Sequence, residues 1–432
     1  MSSLAHISHR RGFRTGGSDR APSALTEKLE SFGIAINYSH NAENVHGYDA
    51  VVYTVAISPD NPEYVEAQNL GLPCISRADF LGYIMTGYPR RIGVSGMHGK
   101  STCTSMCATT FIKADTSPTV LSGAELDIMG GAYTVGDGGD FIFEACEYMD
   151  SFLDFNPNIA IILNIELDHV DYFHSIGQIH KSFAAYADIV GEDGYAIANL
   201  DDSDVMTALS GYGGHLVTFG INSDADYKAV NIDSEMGRYS FDIVRRGELF
   251  CRVSLSVTGY HNIYNALACA AAADICGVSP ADISLGLAAF RGAKRRMEYK
   301  GEFCGADLYD DYGHHPTEVA TTLRGAKDMT DKRLICVFQP HTFSRTKALL
   351  SEFAQAFEAA DRVLLSDIYA ARECDDGSVS SETLAQMIGD KASYCGDIPS
   401  TAEALKAELR AGDVAVIMGA GDIYKVFDLL SN

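Results

Sequence analysis

The sequence predicts an α/β protein built from three domains, and three observations support this prediction. The chain has 432 residues, which is too long for one ordinary hydrophobic core. Short apolar runs of strand length alternate with helix-like stretches, the pattern typical of parallel sheets covered by helices. One of these runs leads into a glycine-rich loop within 91–102, where a second domain would begin. We therefore expect domains over 1–88, 89–292 and 293–432.

Composition argues against a protein that binds nucleic acid or a membrane surface. Hydrophobic residues make up 47% of the chain, charged residues 21%, and the formal net charge is −25. An acidic protein must bind anions through a few local groups, because it lacks a broad basic surface. No apolar run approaches the ~20 residues of a membrane span, and 1–20 lacks the apolar core of a secretion signal. The 11 cysteines form no C-x-x-C pair, which favours reduced thiols and a cytoplasmic location.

The first domain is predicted from strands at 49–54 and 72–75 and helices at 24–32, 61–70 and 77–85. Parallel sheets bind ligands at the carboxyl ends of their strands, which makes the loops around Ser18 and Ile57 candidates. The chain opens on a helix-like stretch from Ser2. A nucleotide-binding α/β domain normally has a strand and a glycine-rich turn before that helix. We therefore expect either a first domain that has lost its first strand or a chain start that has been placed too late.

The second domain begins with a loop suited to phosphate. Residues 96–101 read G-M-H-G-K-S, after an apolar strand and before a helix-like run. Glycines let backbone N–H groups close around an anion, and a helix start adds partial positive charge. Lys100 can reach terminal phosphates, and the Ser101 hydroxyl can bind Mg²⁺. The full P-loop pattern has a glycine where Val94 stands, so an ordinary glycine turn remains the alternative.

Two later strands of this domain end in carboxylates and a histidine. The strand at 141–147 ends with Glu147, and the strand at 158–164 is followed by Asp168 and His169. Mg²⁺ takes oxygen ligands, and these side chains would lie beside the phosphate loop at one sheet edge. A magnesium site is favoured, although each carboxylate taken singly is more simply a solvated strand end.

Groups for the rest of a nucleotide follow. His261, Asn262 and Asn265 open an alanine-rich helix and could hold a purine edge, although helix capping is the simpler role for Asn262. A basic hinge at 291–296 separates the second and third domains, and one of its arginines could contact a terminal phosphate. In the third domain, strand-like and helix-like stretches again alternate. Its strands are predicted at 307–310, 334–338, 363–367 and 414–418, and each leads into a polar loop.

Taken in order, these motifs resemble those of the Mur ligase family over nearly the whole chain. The resemblance rests on 17–19, 56–57 with 61–63, 77–78, 96–101, 144–147 with 151–153, 164–169, 261–262 with 265, 310–318, 339–346 and 419–422. The most specific segments are D-D-Y-G-H-H-P-T-E at 310–318 and the loop at 339–346. Within the family, these two segments favour the member that adds L-alanine.

The resemblance implies a fold and an activity. It implies a Rossmann-like UDP-binding domain with its first strand apparently missing, a central P-loop ATPase-like domain with a mixed sheet, and a C-terminal Rossmann-like domain. The last would bind the amino acid and close on the nucleotide. The activity would be ATP- and Mg²⁺-dependent joining of L-alanine to the carboxylate of UDP-N-acetylmuramate through an acyl phosphate. This is a step of peptidoglycan synthesis, on which cell shape and division depend. A monomer or homodimer is expected.

The resemblance also implies roles for individual residues. The ATP site would consist of Gly96, Met97, His98, Gly99, Lys100, Ser101, Thr102, His261, Asn262, Asn265, Arg295, Arg296 and Asp311. Mg²⁺ would be held by Ser101, Glu147 and His169, and the catalytic residues would be Lys100, Glu147, His169, His314 and Arg345. The UDP-substrate would contact Ser18, Asp19, Ala56 and Ile57. His314 would lie near the amino acid, whereas His315 is expected to be structural.

Three features depart from the family pattern. The glycine-rich turn for the UDP diphosphate cannot be assigned, Met97 stands where threonine is usual, and Met297 stands where phenylalanine is usual. Only the first bears on function. It leaves open a nucleotide-binding protein without ligase activity. A related ligase that adds a peptide to UDP-N-acetylmuramate, or acts on folate, is a second alternative. A P-loop kinase is weaker, because it needs no third domain of this type.

Overall fold

A computed structural model describes residues 1–54, 57–169, 172–375 and 377–430, and it confirms the predicted α/β architecture in three domains. None of the described helices is both long and apolar enough to cross a membrane.

The first domain contains four short strands within the described residues, paired in parallel as β1 with β2 and β3 with β4. Its strands are β1 (Gly16–Ser18), β2 (Ala35–Asn37), β3 (Val51–Tyr53) and β4 (Cys74–Ser76). Its helices are α1 (Ser2–Arg10), α2 (Ala24–Ser31), α3 (Pro62–Asn69) and α4 (Arg77–Met85). Leu4 and Ile7 of α1 and Ile84 of α4 are buried in one cluster with Phe141 and Phe143 of the second domain, so the two domains share a core.

The second domain is built on a mixed sheet of ten strands in the described residues. Its strands are β5 (Arg90–Ser95), β6 (Thr119–Leu126), β7 (Gly131–Thr134), β8 (Asp140–Glu144), β9 (Ile159–Ile162), β10 (Tyr195–Asn199), β11 (His215–Gly220), β12 (Tyr227–Glu235), β13 (Arg238–Arg245) and β14 (Glu248–Thr258). Their order is β14-β13-β12-β11-β10-β9-β5-β8-β6-β7. Its helices are α5 (Lys100–Lys113), α6 (Ile176–Val190), α7 (Ser203–Ala208), α8 (His261–Ile275) and α9 (Pro280–Ala289).

The centre of this sheet is parallel, since β5 pairs with both β8 and β9 in that sense. Parallel strands covered on both faces are apolar throughout, which explains why Ile92, Val94 and Ile161 have no exposed surface. The carboxyl ends of these three strands lie side by side. The loops that follow them, at 96–99, 145–147 and 163–169, therefore meet at one edge.

The third domain has a six-stranded sheet in the described residues, in the order β15-β16-β20-β17-β18-β19. Its strands are β15 (Glu298–Phe303), β16 (Ala306–Asp311), β17 (Leu334–Phe338), β18 (Arg362–Ser366), β19 (Ala392–Gly396) and β20 (Val414–Met418). Its helices are α10 (Pro316–Lys327), α11 (Phe343–Ala348), α12 (Leu350–Ala356), α13 (Ser381–Ile388), α14 (Ile398–Glu408) and α15 (Val426–Leu430). The strands other than β15 are parallel, so their polar loops also share one edge.

Candidate active site

The phosphate loop joins strand β5 to helix α5 through two glycines with positive φ. Gly96 has φ +130° and Gly99 has φ +84°, conformations that other residues rarely adopt. A Cβ atom at Gly96 would lie 3.0 Å from the Cβ atom of Leu163 and 3.1 Å from the backbone nitrogen of Asn164, so the loop requires glycine there. The Met97 side chain is buried in the core shared with the first domain, which accommodates the departure from threonine.

The Lys100 side chain folds back into this loop. Its Nζ atom donates to the carbonyl oxygens of Gly96, at 2.6 Å, and Met97, at 3.0 Å, and lies 2.9 Å from Oε2 of Glu147. Burial alone would lower the pKa of Lys100, but the charge and hydrogen bond of Glu147 together with the nearby Cys146 and Glu144 raise it. Lys100 therefore remains an ammonium group at the mouth of the loop.

Glu147 is fully buried and touches two of the predicted catalytic residues. Its Oε1 atom lies 3.1 Å from Nε2 of His169, and the carboxylate faces the Lys100 ammonium. Burial would raise the pKa of Glu147, but the Lys100 charge and the hydrogen bond to His169 lower it below its usual value. Its buried Oε2 atom accepts no well-formed hydrogen bond from the described residues. An ionised oxygen and an imidazole nitrogen thus lie together beside the phosphate loop.

The two hinge arginines make different contacts. Arg296 directs Nη2 to the Ser101 hydroxyl at 3.4 Å, and so faces the phosphate loop. Arg295 donates from Nη2 to the carbonyl oxygen of Gly419 at 2.6 Å, and its Nε atom lies 3.3 Å from Asp310. Arg295 therefore binds to groups of the third domain, and Arg296 is the arginine that faces the phosphate loop.

A cavity of about 1090 Å³ lies beside the loop, between the second and third domains. The residues predicted for ATP that line it are His98, Gly99, Thr102, His261, Asn262, Asn265, Arg296 and Asp311. Asn265 donates from Nδ2 to Oδ1 of Asn262 at 2.9 Å, and Asn262 donates to the carbonyl oxygen of Thr258 at 2.7 Å. Asn262 therefore does not cap the helix. Burial lowers the pKa of His261 to about 4. His261, Asn262 and Asn265 therefore form an uncharged part of the cavity lining.

Asp311 connects the hinge to the loop that carries His314. Its Oδ2 atom accepts from the backbone nitrogen of Met297 at 2.9 Å, and its Oδ1 atom from that of Gly313 at 2.8 Å. Burial raises the pKa of Asp311 to about 6 in spite of the nearby Arg296 charge. Asp311 thus orders the backbone at the cavity edge.

Arg345 reaches across the domain interface. Its Nε and Nη2 atoms both lie 3.4 Å from Oδ1 of Asp168, and both side chains are nearly buried. Burial would raise the pKa of Asp168, but the Arg345 charge holds it well below its usual range. Asp168, a magnesium candidate from its place after a strand, is paired with this arginine instead.

His314 lies in the same part of the interface. Its ring centroid is 5.6 Å from that of His341, whose Nδ1 atom lies 3.4 Å from Nη1 of Arg345. Burial lowers the pKa of His314 to about 4, so the ring is neutral. Its Nδ1 atom lies 3.1 Å from the Tyr312 carbonyl oxygen and donates to it, which leaves Nε2 as an acceptor.

His98 bridges the second and third domains. Its Nε2 atom lies 3.0 Å from Oε2 of Glu166, and its Nδ1 atom lies 3.3 Å from Oε1 of Glu318. Thr317 adds a hydrogen bond of 2.6 Å to the other oxygen of Glu166. Burial alone would lower the pKa of His98, but the hydrogen bond to Glu166 and the charges of Glu318 and Glu166 raise it to about 9. Sequence reasoning assigned no role to either glutamate. The available signal for Glu318 was its position three residues after His315, as in a capping box.

The raised pKa of His98 predicts a pH-dependent stability. The stabilisation from this group is complete below the unfolded pKa of about 6.5 and is lost as the pH rises through about 9. We expect the melting temperature of the wild type to exceed that of His98→Gln at pH 6, and the difference to disappear above pH 9. Thermal melts across this range measure it. His180→Gln, which removes a contact with Asp204 inside the second domain, is the control. A difference that grows with pH would contradict the prediction.

In the first domain, Ser18 belongs to a network centred on Glu63. The Ser18 hydroxyl donates to Oε2 of Glu63 at 2.7 Å, and Nδ1 of His40 lies 2.9 Å from the same oxygen. Asp19 is exposed beside Ser18, and Ile57 is half-buried before α3, which carries Glu63. Ala56 lies outside the described residues. Glu63 thus links the end of β1 to the start of α3.

Comparison with family models matches all three parts of the chain. Residues 1–89 match the model described as Mur ligase family, catalytic domain. Residues 94–273 match the Mur ligase middle domain, and residues 295–421 match the Mur ligase, glutamate ligase domain.

Similar proteins of known name share nearly the full chain. A UDP-N-acetylmuramate–L-alanine ligase of Caldanaerobacter subterraneus subsp. tengcongensis is 46% identical over 99% of this chain and 94% of its own. The ligase of the same name from Alkaliphilus metalliredigens is 43% identical over 100% of this chain and 94% of its own. The structure of UDP-N-acetylmuramate-alanine ligase MurC from Thermotoga maritima is 26% identical, with a TM-score of 0.79 over 100% of this chain and 95% of that one.

Proposed function

The chain belongs to the Mur ligase family, and on this premise we propose that it joins L-alanine to the carboxylate of UDP-N-acetylmuramate, using ATP. The products would be UDP-N-acetylmuramoyl-L-alanine, ADP and phosphate, in the synthesis of peptidoglycan precursors. The names of full-length relatives support this activity. A cytoplasmic location, where ATP is available, belongs to the same proposal.

The reaction needs two steps, because a carboxylate is a poor acylating agent. A carboxylate oxygen first attacks the γ-phosphate, the bond from that phosphorus to ADP breaks, and an acyl phosphate forms. The alanine amine then attacks the carbonyl carbon, phosphate leaves with the C–O bond electrons, and the amine proton passes to a base or to water. Lys100 and the start of α5 would neutralise charge that develops on the β- and γ-phosphates.

Glu147, His169 and Ser101 would hold Mg²⁺. Oε2 of Glu147, which lies 2.9 Å from the Lys100 ammonium but accepts no well-formed hydrogen bond, and the adjacent nitrogen of His169 offer suitable ligand atoms. The Ser101 hydroxyl would have to exchange its present contact with Arg296. When bound, the ion would neutralise phosphate charge and align the γ-phosphate with the substrate carboxylate.

Arg345 and His314 would bind the acceptor substrates. The planar guanidinium group of Arg345 can hold a carboxylate bidentately, and its Nε and Nη2 atoms now face one oxygen of Asp168. A neutral His314 can accept a hydrogen bond from the amine through Nε2. Its low pKa makes it a weak base, so we propose that it orients the amine.

The observation that carries this proposal is the meeting of two half-sites at one interface. The phosphate loop and its Lys100–Glu147–His169 group belong to the second domain, while Arg345 and His314 belong to the third. Such an interface keeps an acyl phosphate away from water.

Phosphate release by the purified 432-residue chain tests the function. The assay contains ATP, Mg²⁺ and UDP-N-acetylmuramate, with and without L-alanine. We expect sustained release only when both acceptor substrates are present. Release with a tripeptide but not with L-alanine would favour a peptide-adding ligase, and ATP binding without release would favour an inactive nucleotide-binding protein.

Arg345→Lys tests the acceptor site. An ammonium group cannot form the two parallel hydrogen bonds of a guanidinium group, so we expect the KM for L-alanine or UDP-N-acetylmuramate to rise about 10-fold or more. The KM for ATP should stay within about twofold. Steady-state kinetics with each substrate varied in turn measure this, with Lys347→Arg on the same helix as the control. An effect confined to ATP would remove Arg345 from the acceptor site.

A further inference from the structure

The carboxylate of Glu318 contacts residues of both the second and the third domain. It lies in the first turn of α10, and its Oε2 atom accepts from the backbone nitrogens of His314, at 2.9 Å, and His315, at 3.2 Å. Its Oε1 atom lies 3.3 Å from Nδ1 of His98 in the phosphate loop. One carboxylate therefore holds the loop that presents His314 and also touches the loop that would hold the phosphates.

The His98 end of this link is rigid. Asn164 accepts from the backbone nitrogen of His98 at 2.8 Å and donates to its carbonyl oxygen at 2.9 Å. The ring is held on its other side by Glu166 at 3.0 Å. Because His98 is held in place from two sides, its contact with Glu318 can set the position of α10 relative to the phosphate loop.

Helix capping alone does not account for this arrangement. The capping box of α10 needs Glu318 only at the backbone of the residues that precede the helix, inside the third domain. The contact with His98 adds a charged partner from the second domain. The Thr317–Glu166 hydrogen bond crosses the interface next to it.

We propose that Glu318 is a positioning residue that, through His98, sets the His314 loop at a fixed distance from the phosphate loop. This inference rests on the proposed function, because it assumes that an amine beside His314 must reach an acyl phosphate beside Lys100. Glu318 touches neither reacting group. It brings the two half-sites into register, where a misplacement of about 1 Å can cost about 10²-fold in rate.

A double-mutant cycle with Glu318→Gln, His98→Gln and the double variant tests the link in the full chain. Glutamine at 318 keeps the length and an oxygen acceptor for the backbone, but removes the charge that attracts His98. We expect each single variant to lower kcat/KM for L-alanine about 10- to 100-fold. Because both substitutions remove the same contact, kcat/KM of the double variant should lie no more than about twofold below that of the less active single variant. Glu382→Gln, in the first turn of α13 and exposed, is the matched control.

Glu318→Asp separates the position of the carboxylate from its charge at the helix start. Aspartate keeps the negative charge but withdraws the carboxylate by one methylene group from His98 and from the backbone nitrogens of His314 and His315. We expect a melting temperature near that of the wild type together with a loss in kcat/KM like that of Glu318→Gln. Full rescue by aspartate, multiplicative losses in the double variant, or rates like those of Glu382→Gln would each overturn the proposal.

The wild-type assay keeps this test distinct from that of the function. If the wild type releases no phosphate with L-alanine and UDP-N-acetylmuramate, the proposed function fails, and the positioning role fails with it. If the wild type is active and the cycle is multiplicative, only the positioning role fails. His98→Gln leaves the residues of α10 unchanged. It therefore still tests the His98–Glu318 contact if the variants at position 318 fail to fold.

Discussion

Lys100→Ala is expected to reduce ATP-dependent phosphate release by about 10²- to 10³-fold or more. The side chain is the cation at the centre of the phosphate loop, where it contacts the carbonyl oxygens of Gly96 and Met97 and the carboxylate of Glu147. Alanine removes the charge that would meet the terminal phosphates. Steady-state phosphate release measures the loss, and far-UV circular dichroism should show an unchanged fold.

Lys113→Ala provides the control for this variant. Lys113 ends the same helix, α5, and is exposed, so its removal should leave turnover within about twofold of the wild type. Near-normal turnover in Lys100→Ala would contradict the assignment of the phosphate loop. Loss of the circular dichroism signal would instead show a structural role for the Lys100–Glu147 pair.

Glu147→Gln is expected to lower kcat by about 10²-fold and to raise the Mg²⁺ concentration needed for half-maximal rate. The substitution keeps the shape of a fully buried side chain but removes its charge. It therefore weakens both the pairing with Lys100 and the proposed metal site with His169. Phosphate release at increasing Mg²⁺ measures both effects.

Glu235→Gln serves as the comparison, because Glu235 is an exposed glutamate at the end of β12 in the same domain. Its Mg²⁺ dependence should match that of the wild type. If Glu147→Gln retained the wild-type Mg²⁺ dependence while kcat fell, Glu147 would act through Lys100 alone and would not be a metal ligand.

Much of the fold was predictable because its signals are local. The helix predicted at 77–85 is α4 with the same bounds, and the strands predicted at 334–338 and 414–418 are β17 and β20 with theirs. Apolar runs bounded by turn residues determine such elements without help from distant parts of the chain. The glycine-rich loop at 96–99 was also predictable, since its glycines at 96 and 99 both adopt the positive φ that a tight turn between strand and helix requires.

The sequence by itself determined the α/β class, the three-domain architecture and the glycine-rich loop between β5 and α5, because these depend on periodicity and on short spacings. Only the tertiary structure decided that Arg296, and not Arg295, faces Ser101, a residue 195 positions away. It also decided that Asp168 pairs with Arg345 over a separation of 177 positions. Contacts of this kind depend on how whole domains pack, and no local pattern of residues encodes that packing.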